Sequence, residues 1–138
     1  MLKEVYPKIY KKIKYLGYVD NDKLKTVYSA ADVFLVFSRH ENLPTTIMES
    51  MACGTVPMAF DVGGISDFID SDTGVLVRPF DVGEYNDKLA KLLENDTQRN
   101  IMAKKAVEKI KKIFDLKKIA KDYISLFEKV LDSSDAVK

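Results

Sequence analysis

The sequence predicts an α/β domain built on a mostly parallel sheet with flanking helices, and three observations predict it. Strand-like and helix-like stretches alternate along the chain, the order that lays helices over a parallel sheet. Val33-Phe-Leu-Val-Phe37 is apolar without polar alternation, as expected of a parallel strand covered on both faces. That run leads into a loop and a helix start bracketed by Glu41 and Glu49. A ligand site is thereby set beyond the carboxyl end of a strand, where open α/β sheets bind.

The elements follow in order. Leu2 to Lys12 is expected to form a short helix interrupted by Pro7, since proline cannot carry the helical ladder through itself. Ile13 to Val19 reads as a strand, and Asp20-Asn21 as the turn that caps the next helix. That helix, Lys23 to Ala31, sets Leu24, Val27, Tyr28 and Ala31 on one face. After the strand Val33–Phe37 comes a helix over Pro44–Cys53. Pro44 suits its first position, where a missing N–H costs nothing, and Gly54 supplies its left-handed stop. Val56–Phe60 is the next strand. Gly63-Gly64 then opens a loop into a short helix near Ser66–Ile69, and is read as a turn that keeps clear of any ligand. Gly74–Val77 is a short strand, and Asp81 begins a helix reaching about Glu94. Asn95-Asp96 separates it from two further helices, Arg99–Phe114 and Leu116–Leu131. Both carry broad apolar stripes, so each must pack on something. The whole chain, 1–138, is one domain, with 132–138 as a flexible tail.

Bulk properties narrow the function. A chain of 138 residues can bury a real core, and 46% apolar with 31% charged residues is ordinary for a soluble protein. A formal charge of +1 gives no reason to expect nucleic acid. One cysteine excludes an internal disulfide and a cysteine-rich metal site, and fits a reducing cytoplasm. There is no membrane-spanning apolar run and no signal-peptide pattern at Met1. Between residues 19 and 87 the basic residues are Lys23, Lys25, Arg39 and Arg78, well outnumbered by carboxylates, whereas 104–118 is rich in lysine. That lysine-rich stretch reads first as a solvated helix face. Its second reading is peripheral contact with anionic lipid, which would place the protein at the inner face of the membrane. Asp67, Asp70 and Asp72 lack the dense spacing and glycine of a calcium loop, so no metal is expected. His40, the lone histidine, has no nucleophile pattern beside it and is read as a bystander. Cys53 reads as a small core residue.

The chemistry of the bracketed loop is more specific. The first-turn amides of the helix after Glu41 are free to hold an anion. Two carboxylates do not belong beside a phosphate, and they suit hydroxyls instead. Phosphate on amides with hydroxyls on carboxylates describes a sugar nucleotide.

The ordered segments Tyr28-Ser-Ala-Ala-Asp32, Val33-Phe-Leu-Val-Phe-Ser38, Glu41-Asn-Leu-Pro-Thr-Thr-Ile-Met-Glu49 and Ser50-Met-Ala-Cys-Gly54 carry a resemblance. With Val56-Pro-Met-Ala-Phe60, Gly63-Gly64 and Thr73-Gly-Val-Leu-Val77 they resemble the C-terminal domain of family 4 retaining glycosyltransferases. The resemblance covers nearly the whole chain, from about Ile13 to Leu131. It implies a Rossmann-like domain, part of the C-terminal half of a B-type glycosyltransferase fold.

The resemblance also implies roles. Glu49 would bind the ribose hydroxyls of a nucleoside diphosphate sugar, and Glu41 would contact the transferred sugar as the catalytic carboxylate. Asn42, Leu43 and Thr45 would offer backbone amides to the diphosphate. Many family members carry a Gly-Phe-Gly type sequence where this chain has Asn42-Leu43-Pro44. Pro44 cannot donate, so the contact must rest on neighbours such as Thr45 and Thr46. Ser38 and Arg39 end the strand beside the site, with Arg39 in reach of a phosphate. No cofactor is implied beyond the sugar nucleotide substrate. The resemblance further implies a preceding acceptor domain and a basic pair for the diphosphate, neither of which lies in these residues. The chain is therefore expected to work with that N-terminal domain or a partner subunit, and to transfer no sugar alone. A hexosyltransferase of polysaccharide or lipid-linked acceptors is the reading adopted. A non-catalytic nucleotide-sugar module or relic, or a helix-rich interaction domain, are the alternatives. The apolar face of Leu116–Leu131 predicts self-association or instability.

Overall fold

A computed structural model describes residues 2–135, with the side chains of Leu2, Ser134 and Asp135 outside the description. The elements run α1 (Leu2–Val5), α2 (Pro7–Tyr10), α3 (Asn21–Ser29), β1 (Val33–Val36), α4 (Thr45–Ala52) and β2 (Val56–Phe60). A 3₁₀ turn (Gly63–Asp67), β3 (Val75–Val77), α5 (Val82–Glu94), α6 (Asp96–Ile113) and α7 (Leu116–Asp135) follow.

The three strands form one sheet in the order β1-β2-β3, parallel throughout. Val33 pairs with Val56 and Val36 with Ala59; Met58 pairs with Val75 and Phe60 with Val77. β2 lies between the other two and is wholly buried, so neither of its faces carries a polar residue. Its side chains alternate between two apolar layers. Ala59 joins Val36, Ile47, Met51, Ile65, Ile69, Ala106 and Ile110 on the side of α4 and α6. Val56, Met58 and Phe60 join Val77, Tyr85, Leu92 and Met102 on the side of α5. Because all strands point one way, the loops after them gather at one edge, and that edge carries Glu41.

Two helix starts are fixed by side chains. Asp81 accepts from Glu84 N at 2.8 Å and Asn95 from Gln98 N at 2.9 Å. The Asn95 cap starts α6 at Asp96, three residues before the expected Arg99. α7 continues to Asp135, so residues 132–135 of the expected tail are helical, and its remainder, 136–138, lies outside the described residues.

Other expectations are corrected. Residues 13–19 form no strand. Gly17 takes φ +70, which breaks an extended run, and Tyr15 and Tyr18 stand 92% and 88% exposed with nothing to pair against. β1 is then an edge strand among the described residues, not one covered on both faces: Leu35 and Phe37 are exposed while Val36 is buried. Pro44 sits one position before the helix rather than inside it, and its carbonyl accepts from Ile47 N and Met48 N. The 3₁₀ turn starts at the glycines themselves, ahead of Ser66. No helix among the described residues is long and apolar enough to cross a membrane.

Candidate functional site

Helix α4 buries Ile47, Ser50 and Met51. This i, i+3, i+4 set leaves Glu49 on the opposite, exposed face. The buried Ser50 hydroxyl is satisfied by Ile47 O at 2.8 Å. Glu49 faces α3, where Tyr28 donates its hydroxyl to Glu49 Oε2 at 3.2 Å. Between these helices runs a groove of about 490 Å³, lined by Asn21, Leu24, Lys25, Tyr28, Glu49, Ala52 and Cys53.

Glu41 is held differently. Ser38, two residues beyond β1, donates its hydroxyl to Glu41 Oε1 at 2.6 Å. The Glu41 carbonyl accepts from Gly64 N at 3.0 Å. Gly63 has φ +56, and a Cβ on it would lie 1.8 Å from Glu41 O; a Cβ on Gly64 would lie 2.2 Å from Asn42 O. The glycine pair is thus more than a turn: it is the back wall against which the Glu41–Asn42 backbone rests. No side chain fits in that contact. The sequence signal was the Gly-Gly pair itself, whose partner segment only the tertiary structure reveals.

Each carboxylate therefore has its own hydroxyl donor, Ser38 for Glu41 and Tyr28 for Glu49. A carboxylate offers about four acceptor positions, so both keep capacity for ligand hydroxyls. Between them, Asn42, Leu43, Thr45 and Thr46 are exposed. The first amide bonded back toward the start of α4 is that of Ile47. The amides of Thr45 and Thr46 thus stand at the positive end of the helix dipole, where an anion is favoured.

Arg39, expected beside the site, lies against an aromatic ring. Its guanidinium lies 5.8 Å from the centroid of the Phe80 ring, a cation–π arrangement. Phe80 has φ +63 and is exposed, and its ring sits 5.9 Å from that of Phe60. Phe60 and Phe37 both pack on Tyr85, at 5.2 and 4.6 Å. Burial pushes the Tyr85 phenol up to about 12, and its hydroxyl donates to Met58 O at 2.8 Å. This aromatic group at the site edge escaped the sequence reading, because its members come from four separate segments. Asp70 and Asp72, weighed above as metal ligands, are engaged by Lys109 at 2.8 Å and Lys105 at 3.0 Å.

Comparison with known proteins gives this arrangement a family. The profile described as Glycosyl transferases group 1 matches residues 8–112. A D-inositol 3-phosphate glycosyltransferase from Corynebacterium efficiens is 37% identical over 99 residues, 71% of this chain and 23% of that protein. The N-acetyl-alpha-D-glucosaminyl L-malate synthase of Bacillus anthracis is 29% identical over 87% of this chain and 31% of its own length. Among solved structures, sucrose-phosphate synthase from Thermosynechococcus elongatus matches with a TM-score of 0.86 and 28% identity. The match covers 96% of this chain and 33% of that one. HepE of Anabaena, solved in complex with UDP, shares the fold at a TM-score of 0.81 and 21% identity. This chain thus spans about a quarter to a third of the length of these proteins. Its sheet and helices correspond to part of their B-type fold. With the profile covering most of the chain and the structures agreeing on the fold, the chain belongs to the glycosyl transferases group 1 family.

Proposed function

We propose that this chain is the donor-binding part of a retaining hexosyltransferase, taking a nucleoside diphosphate sugar and serving a saccharide or lipid-linked acceptor. The observation that carries the reading is α4 itself: a helix start with unclaimed amides at the sheet edge, and a carboxylate, Glu49, five residues in. In this reading the ribose hydroxyls donate to Glu49. The diphosphate rests on the amides of Asn42, Leu43 and Thr45, with the hydroxyls of Thr45 and Thr46 beside them. Glu41, steadied by Ser38, meets the transferred sugar. Charge that builds on the departing diphosphate falls toward the helix N-terminus, a preorganised donor set that costs no reorganisation. No metal is required for that step. Arg39, resting on Phe80, is the nearby cation available to the phosphates. The UDP in the structure of HepE, a protein of the same fold, supports a nucleotide as the ligand class.

The test is a calorimetric titration of UDP into the purified chain. A dissociation constant of about 0.1–1 mM is expected, roughly −4 to −5.5 kcal/mol. Glu49→Ala removes a charged acceptor worth about 1.5–3 kcal/mol and should weaken binding roughly 10- to 100-fold. Equal binding by wild type and variant would exclude the ribose role.

A further inference from the structure

Glu49 can present its carboxylate only if something holds the side chain, and its own helix does not. Among the described residues, Tyr28 is the one side chain that hydrogen-bonds to it. Tyr28 is itself firmly placed. It is 9% exposed, its ring meets Phe34 edge-on at 5.5 Å and 86°, and its carbonyl accepts from the fully buried Thr55 hydroxyl. Ring and backbone are thus fixed from the sheet side, and the phenol oxygen is left at the wall of the groove that Glu49 also lines.

We propose that Tyr28 is the positioning residue for Glu49: its phenol holds Oε2 and leaves Oε1 without a donor among the described residues, set to accept from a ribose hydroxyl. The proposal rests on the ribose role of Glu49 given above. Tyr28 does not touch the nucleotide and acts only through the carboxylate. A glutamate left to itself samples many rotamers, and the ligand would bear the cost of ordering it. A neutral donor suits this task, because an ion pair would draw off the negative charge that ribose hydroxyls need. Burial raises the Tyr28 phenol above its ordinary value, and the hydrogen bond to Glu49, then the charges of Glu49 and Cys53, raise it further. The phenol therefore keeps its proton, and remains a donor, across the neutral range. The competing account is that a buried tyrosine simply needs a partner for its hydroxyl. In that case Tyr28 would matter for stability and not for ligand discrimination.

Tyr28→Phe separates the two, since it keeps the ring and its contact with Phe34 and removes one oxygen. Titrate UDP and 2′-deoxy-UDP into wild type, Tyr28→Phe and Glu49→Ala, with melting curves on each. Wild type should prefer UDP, and Glu49→Ala should abolish the preference. Tyr28→Phe should lose most of it, with UDP weakened about 3- to 10-fold and 2′-deoxy-UDP within about 2-fold of wild type. A Tyr28→Phe variant with the wild-type preference overturns the positioning role, even if its melting point falls. A wild type indifferent to the 2′-hydroxyl overturns the reading of Glu49 and this proposal with it. A second measurement needs only wild type and Glu49→Gln. In ¹³C-tyrosine NMR titrations, Tyr28 should ionise at a higher pH than an ordinary tyrosine and shift downward in Glu49→Gln. A Tyr28 resonance indifferent to that substitution overturns the contact.

Discussion

Glu41 and Glu49 belong to one loop-and-helix unit, yet they are fastened to different parts of the molecule. Ser38 ties Glu41 to the end of β1, and Tyr28 ties Glu49 to α3. The two carboxylates can therefore be disabled separately. Glu41→Gln should leave UDP affinity within about 2-fold of wild type and weaken UDP-glucose or UDP-N-acetylglucosamine by about 5-fold or more. Titration of the three ligands into one variant checks this. Loss of UDP and UDP-sugar in equal measure would show that Glu41 acts on the nucleotide or on the loop as a whole. Arg39 offers a contrast, for its charge is spent on the Phe80 ring. A cation–π contact at an exposed site is worth about 0.5–1 kcal/mol, so moving Arg39 to a phosphate is a small step energetically.

At the scale of elements, the two glycines with left-handed backbones make a paired experiment. Gly17 has φ +70 with nothing within 4 Å of a notional Cβ, while Gly63 combines φ +56 with a 1.8 Å clash on Glu41 O. Gly17→Ala should cost about 1–2 kcal/mol, the strain of left-handed backbone alone. Gly63→Ala must also push the Glu41 loop away and should cost more, about 3 kcal/mol or beyond, read as a larger fall in melting temperature. β3 and α5 are joined by a charge cluster with its own signature. Lys88, with Arg78 next, holds the Glu84 carboxylate down at about 2. A depressed carboxylate stabilises the fold above its unfolded value and ceases to do so as pH falls through the folded one. The Glu84 contribution should therefore be intact above about pH 4.5 and vanish only near pH 2, as carboxyl NMR titration would show. The sequence made these elements unequally legible. β2 and most of β1 were readable because apolar runs bounded by turn residues have few other uses, and Asp81 was readable as a helix start by its type and place. Residues 13–19 misled because a strand needs a neighbour, and neither the left-handed Gly17 nor the missing pairing is encoded in their apolar pattern. Likewise Tyr28 with Glu49, and Gly63 with Glu41, are pairs separated by 21 or more residues. Each residue could be singled out from its segment, but its partner could not.

For the whole molecule, the surface is as informative as the core. Along α7, Leu116, Tyr123, Ile124, Leu126, Phe127 and Val130 are all exposed. A continuous apolar face of this kind marks an interface. We expect the isolated chain to associate with itself through it. Light scattering should show a mass that rises with concentration, and Phe127→Glu should return it to a monomer. A wild type that stays monomeric at high concentration would contradict this. The relatives, about three times as long, have additional chain that could cover an equivalent face.

The contact of Gly63-Gly64 with the Glu41–Asn42 backbone also bears on time. A loop with room beneath it can open and shut, and ligand capture then waits on that motion. Here the loops after β1 and β2 share a seam with no space for even one methyl group. The rim bearing Glu41 is consequently a fixed wall, and the Gly64 amide should exchange with deuterium as slowly as the sheet itself. A nucleotide binding as proposed would meet a site already formed. Its observed association rate should rise linearly with concentration, with no plateau from a gating step.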